Sequence, residues 1–310
     1  MHKSGLTELE AVVAVARRGS FRAAATELGM SATALGSAVA GLEARLGVRL
    51  FNRTTRSVAL SAAGEEFVAR VSPALADIRH AMDAANLHRD TPRGLLRINA
   101  SAGGARPLMP IIVEYLRRYP EMEVEIVTDA RLVDIVIEGF DAGVRTLDKV
   151  PADMVAVPFG PLLRSVIVAT VSYFDQFPVP KTPEDLVNHR CIRTRWPSGA
   201  RSPWEFERDG TTYEIDVPGA LMLDEPTLIY AAAIASEGLA YLPEWFVTED
   251  LASGRLVEVL HGTTPVYPSL RLYYPSRRHT PAGLRLLIDL IRETASGESG
   301  RNGAAPVDMA

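Results

Sequence analysis

Apolar residues recur three and four positions apart from Leu6 through Leu9, Val12, Val13, Val15 and Ala16, and the run closes on Arg17, Arg18 and Gly19. That spacing predicts a first helix of about three to four turns. Ser20 then offers a cap to a short run of small residues, Ala23, Ala24, Ala25 and Leu28, which Gly29 is placed to end. Ser31 caps again. From Thr33 onward Leu35, Val39, Leu42 and Leu46 fall near one face, leaving Thr33, Ala34, Ser37 and Ala38 on another. Two short helices joined by Gly-Met-Ser predict a helix-turn-helix whose second helix reads DNA.

After Gly47 the segment VRLFNRTTRSVALS alternates in β fashion around residues 52–55, which predicts a small hairpin presenting Arg53, Thr54, Thr55 and Arg56 to a phosphate backbone or minor groove. From Ser61 the period is helical again, with Phe67, Val71, Leu75, Ile78, Met82 and Ala85 on one stripe and Pro73 as an expected kink. Such a narrow stripe is too long for the head to bury, so it predicts a linker helix that pairs with a second chain.

Thr91-Pro92-Arg93-Gly94 breaks the pattern. Beyond it, strand LLRIN, a helical run at 107–119, strand VEIV, helical LVDIVIEG and strand FDAGVR alternate as β-α-β units, predicting a mostly parallel sheet. A second unit contains strand RSVIVAT, helical TPEDLVNH, strand CIRT, a hairpin WEFERDG-TTYEIDV, a helix near 225–236, strand GLAYLP and a helix at 244–253. A terminal strand and helix occupy 270–293. The end of the chain, residues 295–310, is poor in bulky apolar side chains and is expected to be disordered.

Charge sharpens this division. The 310-residue chain carries a net charge of −5, but residues 1–60 hold eight Lys/Arg against four acids, a net of +4, and the remainder holds 25 against 34. A basic head on an acidic body fits a DNA reader joined to a regulatory module. The single cysteine, Cys191, excludes an intramolecular disulfide; the N-terminus lacks the apolar core of a signal peptide, and no run is long enough for a membrane span. The cytoplasm is the expected compartment.

These stretches together, SFRAAATELGMSATAL, LEARLGVRLFNRTTRSVALSAAG, GLLRINAS, VDIVIEGFDAGVR and GLAYLPEWFV, in that order over roughly residues 5–292, resemble the LysR-type transcriptional regulators. The resemblance implies an α/β chain with an all-α-type head: a winged helix-turn-helix (1–60), a linker helix for dimerisation (61–90), and a two-lobed effector domain like the periplasmic solute-binding proteins. Its lobes would be 91–162 with 266–294, and 163–265. The resemblance also implies homodimers that pair into homotetramers on double-stranded DNA, and a small-molecule effector between the lobes. In the reader helix the sequence departs from its relatives. Ala32 and Thr33 follow Ser31 where many carry Gln-Pro or Gln-Ser, and Gly36 follows Leu35 where many carry Ser. The missing Gln removes a side chain suited to adenine, and Gly36 costs about 1 kcal/mol of helix propensity relative to Ala.

The DNA-binding candidates are Arg22, Ser31, Thr33, Ala34, Ser37, Arg53, Thr54 and Arg56; a solvated polar face is the plain alternative for each. Ser101, Ala102 and Gly103 follow a strand and open a helix, where free N–H groups could hold an anionic effector, or where glycines merely reverse the chain. By analogy of fold, Thr128, Arg145, Thr194, Trp196 and Asp224 lie at ends of predicted strands and could line the same cleft. His189 and Cys191 lack further ligands for a metal, and Asp129, Asp134, Glu138 and Asp141 lack a base or nucleophile, so neither a metal, a cofactor nor an enzyme is expected. Arg190 to Arg201 reads as a loop rimming the cleft rather than a second nucleic-acid patch. The rival functions are a solute-binding module with a vestigial head and a metabolic enzyme.

Overall fold

The computed structural model describes residues 5–53, 58–86, 92–129, 131–196, 198–276 and 280–301. Helices α1 (Gly5–Arg18), α2 (Phe21–Glu27) and α3 (Ala32–Leu46) form the head. Ser20 and Ser31 are both extended and cap as the pattern predicts: Ser20 Oγ accepts from the Ala23 N–H at 3.3 Å and Ser31 Oγ from the Ala34 N–H at 3.1 Å. Gly47 closes α3 at φ 71°, a left-handed turn that favours glycine. Ala11, Ala14, Ala24 and Ala25 are buried between the helices, so the backbones approach closely around Val12, Val15, Leu35 and Val39. Full burial of such an aliphatic side chain contributes about 1.5–3 kcal/mol.

Strands β1 (Phe51–Arg53) and β2 (Val58–Leu60) pair antiparallel, with Phe51 opposite Leu60. Thr54 and Arg56 lie outside the described residues. Helix α4 (Ala62–Asn86) runs on through Pro73. Its Phe67 and Val68 pack on the head core and Leu75 is buried, whereas Ile78 and Met82, on the stripe expected to meet a second chain, are exposed.

The remainder comprises β3 (Gly94–Ala100), α5 (Ala102–Arg118), β4 (Met122–Thr128), β5 (Ala142–Arg145), β6 (Met154–Phe159), β7 (Leu163–Ala169), α6 (Val171–Phe174), β8 (Cys191–Arg195), β9 (Arg201–Ser202), β10 (Trp204–Arg208), β11 (Thr211–Ile215), β12 (Met222–Leu223), α7 (Pro226–Ile234), β13 (Leu239–Pro243), α8 (Glu244–Ser253), β14 (Val257–Val259), β15 (Val266–Tyr267), β16 (Leu270–Pro275) and α9 (Ala282–Arg301). One sheet has the order β4-β3-β5-β16-β6. The second has β12-β8-β13-β7-β14, with β15 extending the β14 edge of β7 and β9 pairing β8. Helices α5 and α9 cover the first sheet over Leu96, Ile98, Leu108, Leu272 and Leu287, and α7 and α8 cover one face of the second over Val166, Val168, Ile229 and Val247. The β10–β11 hairpin, with Trp204 and Phe206, closes the opposite face.

Several expectations need correction. Each sheet is mixed rather than mostly parallel, because the strand entered by a crossover, β7 or β16, runs against its neighbours. Residues 132–139, read as a helix, form turns: Asp134 Oδ1 accepts from the N–H groups of Val136 (2.9 Å) and Ile137 (3.1 Å), which offers the backbone a local alternative to the helix. Residues 183–188, expected to be helical, form a 3-10 helix. The helix expected from Pro107 begins at Ala102, because Ser101 caps it there. Val266 and Tyr267, assigned to the first lobe, pair with β7 in the second. Helix α9 continues to Arg301, into the stretch expected to be disordered.

Two glycines have opposite surroundings. A Cβ on Gly64 would lie 2.1 Å from the Leu50 carbonyl oxygen, whereas one on Gly36 would meet nothing within 4 Å. Gly64→Ala should therefore lower stability by about 1–3 kcal/mol, and Gly36→Ala should raise it by up to about 1 kcal/mol. Calorimetric melting of both variants checks the pair.

Candidate DNA-reading face and effector cleft

The reader helix is held from beneath by two carboxylates. Glu8, buried on α1, takes a bidentate contact from the Arg45 guanidinium near the end of α3, with Arg45 Nη1 at 2.8 Å from Oε1. Glu43 Oε1 accepts from the N–H groups of Leu50 (2.8 Å) and Phe51 (3.2 Å), fixing where the hairpin leaves the helix. Glu27 on α2 pairs with both Arg17 and Arg18 at the end of α1. None of these roles was visible in the apolar pattern; the one hint was the presence of acids, Glu8, Glu27 and Glu43 among them, in a head of net positive charge. Arg45 is thereby committed to the scaffold.

With its inner side pinned, α3 buries Leu35, Val39 and Leu42 and leaves Ser31, Thr33, Ala34 and Ser37 exposed on the other. Arg22, on α2, is exposed as well. Arg53 is the last residue of β1, where only its backbone is described. The face thus presents hydroxyls, methyls and a cation, with no bulky side chain on the outward turn of α3.

The second constellation follows from strand direction. Ala100 at the end of β3 is opposite Thr128 of β4 on one side and Val144 of β5 on the other, both in parallel register. Ser101, Thr128 and Arg145 therefore stand at one end of the first sheet. In the second sheet Thr194 of β8 is opposite Leu223 of β12, which brings Thr194, Trp196 and Asp224 together at the ends of parallel strands. Because β6 is parallel to β5 and β7 is antiparallel to β13, the connection at 160–162 leaves the first sheet and enters the second at these same two ends. The two groups accordingly adjoin the junction between the lobes, where ligand sites of open α/β sheets form.

Within the cleft the candidates differ in availability. Thr128, Trp196 and Asp224 are exposed and Thr194, Ser101 and Gly103 are half-buried. Ser101 Oγ accepts from the Gly104 N–H at 3.1 Å, and Ala102 is the first residue of α5. A Cβ on Gly104 would press within 3.0 Å of Val144, so Gly104 serves close packing, while the position of Gly103 is open. Arg145 is not on the cleft surface. It is 6% exposed, and its guanidinium donates to Asn99 Oδ1 (2.6 Å) and to the carbonyls of Val144 (2.7 Å), Asp129 (3.1 Å) and Arg131 (3.0 Å). Burial lowers its pKa from the usual arginine range, and its role is to tie the turn after β4 down onto β5. Asp129 pairs with Arg131 at 2.8 Å on that turn, which holds its carboxyl below the ordinary range.

The remaining candidate chemistry is absorbed by packing. Cys191 is buried and its thiol is pushed up to about 12 by that burial. His189 is buried, and its Nδ1 lies 3.1 Å from the Tyr173 hydroxyl, which also accepts from the Arg190 N–H at 3.1 Å. No cluster of three or more potential metal ligands occurs among the described residues. No helix among them is long and apolar enough to cross a membrane. Of the Arg190–Arg201 group, Arg193 and Arg201 face Asp216 at 3.7 and 3.4 Å, and Arg195 Nε lies 3.3 Å from Met222 Sδ.

A capped reader helix with a hairpin, joined by a long helix to two lobes around a cleft, defines a ligand-responsive DNA-binding regulator. Sequence comparison agrees: residues 6–65 match the bacterial regulatory helix-turn-helix protein family of the LysR type, and residues 89–296 match the LysR substrate-binding domain. The chain belongs to the LysR family and is a LysR-type DNA-binding transcriptional regulator with an effector-binding domain. It is 40% identical over 301 residues to the uncharacterized HTH-type transcriptional regulator YcaN of Escherichia coli K12, covering 97% of this chain and 99% of that protein. It is 37% identical over 294 residues to the HTH-type transcriptional regulator PgrR of the same organism, covering 94% and 98%. Among solved structures, the full-length virulence activator AphB of Vibrio cholerae superposes with a TM-score of 0.64 at 23% identity, over 93% of this chain and 99% of that one. CrgA from Neisseria meningitidis superposes at 0.58 and 24%, over 94% and 99%.

Burial holds the His189 imidazole below its ordinary pKa, with Asp185 acting in the opposite direction. The folded chain therefore binds this proton less tightly than the unfolded chain. The stability involved is complete above the ordinary histidine pKa of about 6.5 and is lost as pH falls from there through the folded value. In His189→Asn, whose side-chain amide can still hydrogen-bond the Tyr173 hydroxyl, urea unfolding at pH 7.5 and 5.5 should show a smaller loss on acidification than in the natural chain.

Proposed function

We propose that the chain reads its operator through Ser31, Thr33, Ala34 and Ser37 on α3, flanked by Arg22 and by the wing residues Arg53, Thr54 and Arg56. The observation that carries this reading is the division of α3 between a buried face of Leu35, Val39 and Leu42 and an exposed face of small polar and methyl groups. Thr33 and Ala34 methyls suit the thymine methyl, and hydroxyls suit any base, but none of the four side chains on α3 can make a bidentate pair with adenine or guanine. Phosphate contacts and DNA shape therefore supply most of the affinity and much of the discrimination. The regulator acts in the cytoplasm as a homodimer joined through α4, whose exposed Ile78 and Met82 support that pairing, and two dimers assemble on DNA as a homotetramer.

The effector occupies the junction of the lobes, against Ser101, Ala102, Gly103 and Thr128 on one side and Thr194, Trp196 and Asp224 on the other, with Arg145 beneath as the anchor of the wall. Its binding favours one arrangement of the lobes and thereby the spacing of paired reader helices, a coupling that requires different affinities for the two arrangements. A solute-binding module with a vestigial head is disfavoured by the intact capping and the open reader face of α3.

Footprinting the region upstream of the chain's own gene, alone and with a panel of small carboxylates and aromatics, tests the whole reading: a protected site altered by one of the compounds is expected. Replacing Arg53 and Arg56 together by Ala should weaken binding to specific and random duplexes alike and flatten the dependence of log K on log salt by about two charges' worth. Anisotropy titrations between low and moderate salt measure that slope. For the cleft, Ser101→Trp should abolish the thermal shift produced by any compound active in the footprint; a full shift in the variant would move the pocket elsewhere.

A further inference from the structure

Arg106 stands on the second turn of α5 and reaches out of its own lobe. Its guanidinium carbon lies 4.6 Å from the ring centroid of Phe246 and 5.7 Å from that of Trp245, both in the first turn of α8 on the other lobe. Arg106 makes no ion pair among the described residues, so these rings are what its cation faces. The aromatic platform is braced from behind. Trp245 and Phe246 lie 5.5 Å apart, Tyr230 of α7 packs 5.6 Å from Phe246, and the Tyr230 hydroxyl accepts from Arg255 Nη2 at 2.5 Å. Arg255 in turn is paired with the buried Asp250 of α8.

The chain itself links the lobes only at residues 160–162 and 268–269, and two short connections permit rotation of one lobe against the other. A guanidinium resting on aromatic faces resists that rotation, and it does so without an ion pair that would have to be desolvated. We propose that Arg106 and the Trp245–Phe246 pair form a latch that holds the two lobes together across the cleft and is weak enough to be released. Each end of the contact follows directly on a strand that points at the cleft, α5 after β3 and α8 after β13, so any turn of the lobes that widens the cleft there separates cation from rings. In the reading given under Proposed function, the latch would set how much of the lobe-closing cost an effector has to meet; the latch itself requires neither effector nor DNA.

The test is a distance measurement in the full-length protein. Spin labels at Leu116→Cys on α5 and Glu249→Cys on α8 report the separation of the lobes, because both sites are exposed while the native Cys191 is buried. Labelled chains are diluted tenfold with unlabelled chains so that only distances within one chain contribute. The natural sequence should give one narrow distribution. Arg106→Met, which keeps the stem and removes the charge, should add a longer population, raising the open-to-closed ratio roughly two- to fivefold. Phe246→Leu should do the same, and Arg106→Lys should fall between. Distributions for Arg106→Met and Phe246→Leu that coincide with the natural one, in variants that melt as it does, would overturn the latch, as would a broad distribution in the natural protein. Either result leaves the footprint untouched, so failure of the latch and failure of the operator reading are separate outcomes.

Discussion

The effector half of the molecule depends on a constraint of chain direction. The polypeptide passes from the first sheet to the second and back again, and each passage delivers a strand, β7 or β16, that must run against its neighbours. Because of that reversal, both connections emerge at the ends where the parallel strands β3, β4, β5, β8, β12 and β13 also terminate. Strand ends carry the unpaired amides, helix starts and turn residues from which binding sites are made, and here two sets of them are forced together. Mixed sheets are therefore the condition for a cleft with two chemically furnished walls.

In the head the corresponding constraint is electrostatic. Three short helices with an alanine-rich interface could slide over one another at little cost, since small side chains interlock weakly. Glu8 with Arg45, Glu27 with Arg17 and Arg18, and Glu43 with two backbone amides remove that freedom at three separate joints. Acids in a basic module lower its attraction for phosphate, and their placement shows why they are kept: each fixes a helix end or a strand start against another element. The cations they engage are Arg17, Arg18 and Arg45, whereas Arg22 beside the reader helix is exposed and outside these pairs.

Local chemistry makes much of this legible in the sequence. Ser20, Gly29, Ser31 and Gly47 each announce a helix boundary by a mechanism internal to a few residues, and the structure puts the boundaries there. Where tertiary forces decide, the pattern misled. The run LVDIVIEG has helical spacing, yet Asp134 captures its own amides, Arg145 from a later strand takes the carbonyls just upstream, and only Ile135 of the run is fully buried. Arg145 illustrates the same limit in reverse: its position at a strand end is correctly inferred, but burial turns an expected ligand contact into an anchor. The contact of Arg106 with α8 lies beyond any sequence argument, because a long stretch of chain and a change of lobe separate the partners.

Gly36, with open space where a side chain would begin, gives the reader helix an unusual property. Positions 32, 33, 34, 36 and 37 can each accept a longer residue without disturbing Leu35 or Val39, since everything that holds α3 in place is on its far side or at its ends. Apart from Ser31, which caps the helix, the exposed residues of α3 are thus disjoint from those that hold it in place. A lineage could retarget this regulator to a new operator by single substitutions on a surface that pays no folding penalty for the change.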